Sequence, residues 1–149
     1  WYFYLTKRTQ TVEHHKGQIS LPGGMLKKGE SSQKAAIRET YEELGIKAQV
    51  INIIGPLTPF YIPISGFNVF PFVGWIAKCP TLEIQSKEVS KVFAPSVSSL
   101  MNPQNRKIKK STILDQKVEI PYFSLNNEIV WGATSMILSE FKSIVKRIK

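Results

Sequence analysis

The chain has 149 residues, 42% of them hydrophobic, which suits one domain spanning residues 1–149 and leaves no room for a second core. No stretch approaches the ~20 apolar residues of a membrane-spanning helix, and the single cysteine, Cys79, has no partner for a disulfide within the chain. These features exclude an integral membrane protein and a disulfide scaffold, and predict a soluble protein of the reducing cytoplasm. The net charge of +9 favours anionic partners without specifying which anion.

The first third of the sequence predicts a strand, a turn and a helix. The segment WYFYLT, residues 1–6, is rich in aromatic and β-branched side chains, as strands are, and we expect the chain to begin inside that strand, truncated at its N-terminus. GQISLPGG, residues 17–24, predicts an extended segment closed by a Pro-Gly-Gly turn. Ser31 or Ser32 fits a helix N-cap and Gly45 a helix end, so we predict a helix from about Ser32 to Leu44.

The remainder predicts mainly strands, followed by a second helix. Segments bounded by Gly, Pro or polar clusters predict strands at AQVINIIGPL, VFPFVGWIA and EVSKVFAP, with shorter strands in VEIPYF and NEIVWG. SVSSLMNP predicts a short helical turn. The tail from Ala133 to Ile148 predicts a packed helix, with an apolar stripe of Ala133, Ile137, Phe141, Ile144, Val145 and Ile148. The fold class expected from this pattern is α/β.

The densest basic cluster is NRKIKK, from Asn105 to Lys110. It lies in a polar stretch, which favours a solvated loop over a dedicated nucleic-acid patch. No helix-turn-helix pattern, zinc-finger spacing or RNA-binding aromatic signature accompanies it. We therefore expect no nucleic-acid partner, and likewise no membrane partner.

The helix predicted from Ser32 carries a crowd of acidic residues near its end. At 100° per residue, Glu39, Glu42 and Glu43 share one arc, and like charges at these spacings repel. A divalent cation such as Mg²⁺ or Mn²⁺ would offset that repulsion, because it prefers carboxylate oxygens. A solvated acidic face balanced by nearby basic residues is an equal alternative on the helix alone. The separate, core-facing arc is predicted to contain Ala36, Ile37, Thr40, Tyr41 and Leu44.

The flanking residues decide between these alternatives, because they resemble the Nudix box, G-x5-E-x7-R-E-U-x-E-E-x-G-U, with U aliphatic. Every fixed letter is present, from Gly24 through Glu30 to Gly45, and the one departure is Thr40 in an aliphatic slot. The family consists of hydrolases that cleave a nucleoside diphosphate linked to another group. The resemblance implies the Nudix fold, a mixed β-sheet sandwiched between α-helices.

The resemblance also implies roles for individual residues. It assigns the metal to Glu39, Glu42, Glu43 and the carbonyl of Gly24, and it assigns catalysis to Glu39, Arg38 and Glu42. Glu39 is either a ligand or the general base, and the fork of Arg38 would orient a carboxylate. For Glu30, near the helix N-terminus, capping and a place in the metal shell are equal alternatives. Glu88 either reaches the site from outside the box or is an ordinary exposed glutamate.

The segment before the box resembles that of coenzyme A pyrophosphatases, L-L-T-x-R-[SA]-x3-R-x3-G-x3-F-P-G-G. The matching residues are Leu5, Thr6, Arg8, Gly17, Pro22, Gly23 and Gly24. Tyr4, Thr9, Glu13 and Leu21 depart from the pattern, and Glu13 reverses the charge of an arginine. Later segments also resemble this subfamily, so the similarity covers nearly the whole chain. It implies substrate binding by Arg8, Gly23, Ser65 and Phe67, with Trp131 a further candidate and core packing the alternative for the two aromatic residues.

These observations lead to one interpretation with open alternatives. The chain is interpreted as a single Nudix domain that uses Mg²⁺ or Mn²⁺ to hydrolyse coenzyme A, or a derivative, to 3′,5′-ADP and a 4′-phosphopantetheine. One alternative is hydrolysis of ADP-ribose or another nucleoside diphosphate derivative. The other is a non-catalytic Nudix module that binds a nucleotide. The expected partner is a small nucleotide, and a homodimer is left open.

Overall fold

The computed structural model describes residues 1–9, 17–113 and 116–148. Glu13, which the sequence analysis interprets as a reversal of charge, lies outside these residues. The chain divides into two compact units, an N-terminal unit of Thr6–Val92 and a C-terminal unit that combines Trp1–Leu5 with Phe93–Lys149. The expectation of a single domain over residues 1–149 stays a prediction.

The N-terminal unit contains one helix and several short strands in small sheets. One sheet has the strand order β2-β1-β7, and two antiparallel pairs join β3 to β6 and β4 to β5. The strands are β1 Leu5–Arg8, β2 Ile19–Ser20, β3 Asn52–Pro56, β4 Phe60–Ile62, β5 Phe67–Val69, β6 Phe72–Trp75 and β7 Val89–Phe93, the helix is α1 Ser32–Leu44, and a 3-10 turn covers Ala48–Val50. The division between the units falls within β1 and β7, so that their end residues Leu5 and Phe93 are counted with the C-terminal unit.

The C-terminal unit contains a meander of three strands and two helices. The antiparallel strand order is β10-β9-β8. Its core is formed by apolar side chains such as Leu100, Phe123, Leu125, Val130 and Leu138, all buried. The elements are α2 Val97–Met101, a 3-10 turn at Pro103–Asn105, β8 Arg106–Ile113, β9 Gln116–Leu125, β10 Glu128–Val130 and α3 Gly132–Ile148. Among the described residues, no helix has both the length and the apolar character needed to cross a bilayer.

Helix α1 has the predicted bounds because both of its caps are local. The Ser31 hydroxyl accepts a hydrogen bond from the Lys34 N–H at 3.3 Å, and Gly45 ends the helix with φ of 72°, where a glycine is favoured. The predicted core face is wrong in one respect, because Tyr41 is 53% exposed whereas Glu43 is buried with Ala35 and Leu44. The buried face is therefore rotated toward the acidic residues.

Four other segments depart from the sequence predictions. In AQVINIIGPL the first three residues, Ala48–Val50, form a 3-10 turn, and the strand begins only at Asn52. NRKIKK is not a loop, because Arg106–Ile113 forms β8 and pairs with β9 along its whole length. The first strand begins only at Leu5, and Trp1 and Tyr2 are largely exposed. VFPFVGWIA is divided between β5 and β6 on either side of Phe70 and Pro71, since proline has no N–H to donate to a ladder.

The C-terminal helix is confirmed, but its buried face differs from the predicted stripe. Thr134, Ser135 and Leu138 are the buried residues of α3. Ile148, at the end of the predicted stripe, is 80% exposed. The helix thus packs a partly polar face against its own unit.

Candidate active site

The loop between β2 and α1 brings Gly24 against the carboxylate of Glu39. A Cβ atom built on Gly24 would lie 2.5 Å from Glu39 Cδ and 2.6 Å from each of its carboxylate oxygens. Any side chain at position 24 would therefore displace this carboxylate. The fold thus brings together two residues that the family resemblance assigns to the same metal site.

Arg38 connects three of the glutamates. Its Nε and Nη2 donate to the two oxygens of Glu30, both at 2.9 Å, and its Nη1 donates to Glu39 Oε1 at 2.6 Å and Glu42 Oε2 at 2.8 Å. Nη2 also donates to the Met25 carbonyl at 3.0 Å, which ties the loop to the helix. The fork of a guanidinium allows this simultaneous bonding, whereas a lysine would lack the planar geometry.

Glu30 is hydrogen-bonded to Arg38 in this structure, whereas the N-cap of the helix is Ser31. Its Oε2 also accepts from the Lys27 N–H at 3.0 Å. The hydrogen bond from Arg38, followed by that from Lys27, lowers the pKa of Glu30 to about 2. The hydrogen bonds from Glu30 and then Glu39 in turn raise the pKa of Arg38. Glu30 therefore fixes the guanidinium that orients Glu39 and Glu42.

Glu43 is the buried acid of the group. Glu43 is only 3% exposed, and its carboxylate accepts a hydrogen bond from the Gly23 N–H. Its Oε2 has no hydrogen-bond partner among the described residues. Burial is the main cause that raises the pKa of Glu43 to about 7; the Arg8 charge opposes it, and the charges of Glu39 and Glu88 add to it. A buried, partnerless carboxylate oxygen is unfavourable unless a further cation or donor approaches it.

Arg8, at the end of β1, and Glu88, just before β7, both lie within the electrostatic range of Glu43. The Thr9 N–H donates to the Glu88 carbonyl at 2.9 Å, which fixes the end of β1 beside the start of β7. Arg8 Nε is buried, and within the described part of the chain it has no hydrogen-bond partner. Both residues, predicted only by resemblance, thus lie close to the acids of α1.

Ser65 and Phe67 lie in the β4–β5 hairpin. The Ser65 hydroxyl is buried without a hydrogen-bond partner in the described structure, whereas Phe67 is about half exposed. None of the described hydrogen bonds or ion pairs joins either residue to the glutamates. Trp131 precedes α3 and belongs to the C-terminal unit. The substrate roles of these three residues stay predictions.

The donor chemistry of the site fits a hard divalent cation. The partnerless oxygen of Glu43 and the Glu39 carboxylate against the Gly24 backbone provide oxygen donors of the kind Mg²⁺ and Mn²⁺ prefer. In this conformation, however, no three acidic, histidine or cysteine side chains of the described residues are arranged around one metal position. Arg38 holds Glu39 and Glu42, and Lys27 contacts Glu42 as well.

The sequence interpretation missed two contributors, Lys27 and the Met25 carbonyl. Both lie in the five-residue stretch between Gly24 and Glu30, so their positions depend on the loop conformation rather than on helical spacing. A lysine within this stretch, next to a helix with three crowded acids, is the only signal that could have indicated Lys27. The Met25 carbonyl leaves no signal in the sequence.

The family model of the NUDIX domain matches residues 3–115. Nudix hydrolase 3 of Caenorhabditis elegans is 37% identical over 100 residues, which cover 65% of this chain and 42% of that protein. An uncharacterized Nudix hydrolase, NudL, of Enterobacter sp. is 32% identical over 142 residues, which cover 91% of this chain and 71% of that protein.

Solved structures share the fold at low sequence identity. A C. elegans Ap4A hydrolase, in a binary complex, has a TM-score of 0.55 and 18% identity over 65% of this chain and 70% of that chain. A MutT/nudix family protein from Enterococcus faecalis has a TM-score of 0.55 and 18% identity over 97% of this chain and 55% of that chain. At these identities the likeness shows the fold alone, and it confirms the predicted α/β class.

Proposed function

The chain belongs to the Nudix family of hydrolases, and on that premise we propose that it is a metal-dependent pyrophosphohydrolase acting on a nucleoside diphosphate linked to another group. The observation that carries this proposal is the buried carboxylate oxygen of Glu43, which has no hydrogen-bond partner among the described residues, beside the Glu39–Gly24 contact. A purely structural role of α1 does not explain why Glu43 is buried, because the burial of an uncompensated charge is unfavourable.

In the proposed reaction, water adds to one phosphorus, the bond between that phosphorus and the bridging oxygen breaks, and the proton of the water passes to a carboxylate. Glu39 is the proposed acceptor, held in orientation by Arg38 at 2.6 Å. Glu42, Glu43 and the Gly24 carbonyl would hold Mg²⁺ or Mn²⁺, and Glu39 would join them as a ligand only where it is not the proton acceptor. When bound, such an ion neutralises the phosphate oxygens and the charge that develops on the leaving group.

Coenzyme A or one of its derivatives is the substrate we propose. The support is the resemblance of the segment before the box to coenzyme A pyrophosphatases, which includes Arg8, Pro22, Gly23 and Gly24. The buried Nε of Arg8 lacks a partner within the described residues, and a substrate phosphate would supply one. The net charge of +9 also favours a strongly anionic ligand.

A substrate panel tests the proposal. The protein is incubated with Mg²⁺ or Mn²⁺ and with coenzyme A, 3′-dephospho-coenzyme A, ADP-ribose, diadenosine compounds and nucleoside triphosphates. We expect the highest kcat/KM for coenzyme A, with 3′,5′-ADP as a product. A preference for ADP-ribose or a diadenosine compound would contradict the substrate assignment. Retained binding without turnover on any member would instead support a non-catalytic nucleotide-binding module. A cytoplasmic location and a homodimer stay proposals, and light scattering tests the second.

A further inference from the structure

The C-terminal unit contains a cavity whose lining residues include none of the glutamates of α1. It has a volume of about 250 Å³ and lies among β8, β9 and α3. Its lining includes Arg106, Tyr122, Phe123, Ser135, Met136 and Ser139. The wall therefore combines mainly apolar groups of β9 and Met136 with two serines of α3 and one arginine of β8.

The two serines present acceptors to the cavity. The Ser135 hydroxyl donates to the Gly132 carbonyl at 2.8 Å, and the Ser139 hydroxyl donates to the Ser135 carbonyl at 2.7 Å. Each hydroxyl proton is thus already used inside the helix, so that the lone pairs of each oxygen remain for a ligand. A ligand with hydroxyl groups could donate to them.

Positive charge accumulates beside the serines. Arg106 lines the cavity, and Lys142 donates to the Leu100 carbonyl at 2.8 Å with its Nζ 5.5 Å from the centroid of the Phe123 ring. Burial is the main cause that lowers the pKa of Lys142, and the charges of Arg106 and Lys146 add to it. None of the described residues that line the cavity is acidic. The local field therefore favours an anion.

The spacing along α3 explains why these groups share one side. Ser135, Ser139, Lys142 and Lys146 follow each other at intervals of four, three and four residues, so that they lie on one face of the helix. This is the partly polar face that the apolar-stripe prediction missed. It continues from the hydroxyl acceptors to the basic groups without an intervening acid.

We propose that this cavity binds a small phosphorylated polyol of the sugar phosphate class. Arg106 takes the phosphate through charge-assisted hydrogen bonds, and the oxygens of Ser135 and Ser139 accept from the hydroxyl groups of the ligand. The volume lies below the ~300–1,000 Å³ of pockets for drug-sized ligands. A volume of this size suits a pentose phosphate better than a dinucleotide. This inference does not depend on the proposed pyrophosphohydrolase activity.

Calorimetric titration with ribose 5-phosphate tests the proposal in EDTA, so that no metal supports phosphate binding elsewhere. Ribose and inorganic phosphate are the comparison ligands. Arg106→Gln removes the phosphate partner, and Lys109→Gln is the matched control, because it removes the same charge from the same strand without lining the cavity. Both side chains are exposed, and melting temperatures of the variants check that the fold is intact.

We expect saturable binding of ribose 5-phosphate and none of ribose. Arg106→Gln should weaken binding at least about tenfold, whereas Lys109→Gln should change it by less than about twofold. Ser139→Ala should weaken ribose 5-phosphate and leave inorganic phosphate unchanged. Absence of saturable binding, or equal losses in Arg106→Gln and Lys109→Gln, would overturn the site. Inorganic phosphate binding as tightly as ribose 5-phosphate would overturn the role of the serines.

Discussion

Lys27 Nζ lies 3.2 Å from Glu42 Oε1, while Arg38 Nη1 holds the other oxygen of the same carboxylate at 2.8 Å. Both oxygens of Glu42 are therefore occupied by cations of the protein itself. The hydrogen bond from Lys27 is the main cause that lowers the pKa of Glu42. A divalent cation that uses Glu42 must displace one of these partners, and the exposed lysine is the weaker of the two.

Replacing Lys27 by Gln should therefore strengthen metal binding. We expect the Mn²⁺ affinity of the Lys27→Gln variant to rise about 1.5- to 5-fold, the range that corresponds to an exposed ion pair. Lys28→Gln is the matched control, since it removes the same charge from the neighbouring position. Calorimetric titration of the metal-free proteins measures the effect. Equal affinities in the two variants would mean that Lys27 does not compete for Glu42.

Gly24→Ala should separate activity from stability. The new Cβ would collide with the Glu39 carboxylate, which lies at the end of a flexible side chain and can move without disturbing the core. We expect kcat to fall at least about a hundredfold because the carboxylate leaves its position. The melting temperature should stay within a few degrees. Gly55→Ala is the control, because a Cβ there meets no atom within 4 Å; a Gly24→Ala variant with normal turnover would refute the role of this contact.

Glu43→Gln removes the buried carboxylate charge and preserves the shape of the side chain. Turnover at fixed Mg²⁺ should fall at least about a hundredfold, because a proposed ligand is lost. The melting temperature without metal should stay level or rise, because repulsion with Glu39 and Glu88 is relieved. Glu119→Gln, an exposed acid on β9, is the control and should keep its activity. Near-normal turnover of Glu43→Gln would be incompatible with the metal assignment.

The pKa of Glu43 predicts how stability depends on pH. Its folded pKa is about 7 against an ordinary value of 4.5, so between these values the folded state binds a proton that the unfolded state has released. The free energy of unfolding of the metal-free protein should therefore fall as pH rises through this window, by up to about 3 kcal/mol. Glu43→Gln should lack this contribution and be the more stable variant at pH 8. Urea unfolding between pH 5 and 8 measures both; identical pH slopes would contradict the shift.

The sequence was sufficient wherever the determinants are local. The bounds of α1 were predictable because Ser31 and Gly45 lie at its ends, and the acids of the box were predictable from their spacing. The burial of Glu43 was not predictable, since it depends on the approach of segments that are distant in the chain, where Gly23 donates a hydrogen bond to Glu43 and Arg8 acts on it through its charge. An isolated helical wheel places this acid on an outward arc.

Long-range pairing accounts for the main error in the fold. The run from Arg106 to Lys110 has the composition of a solvated loop, but its backbone pairs with β9, where Lys109 lies opposite Ile120 and Lys107 opposite Tyr122. The stems of long basic side chains can cover such apolar neighbours while their charges remain in water. The signal for this strand is therefore in β9 rather than in the run itself.

Arg8 provides the last test, because its buried Nε has no partner within the described residues and its charge opposes the raised pKa of Glu43. If a substrate phosphate is that partner, Arg8→Gln should raise KM for coenzyme A at least about tenfold, the loss of one charge-assisted hydrogen bond, with a smaller change in kcat. The same substitution removes the cation that favours the ionised form of Glu43, so its pKa should rise further. Lys7→Gln is the control, because adjacent residues of a strand point to opposite faces. Equal effects of the two variants on KM would reduce the role of Arg8 to general electrostatic attraction, and an unchanged KM in Arg8→Gln would remove it from the substrate site.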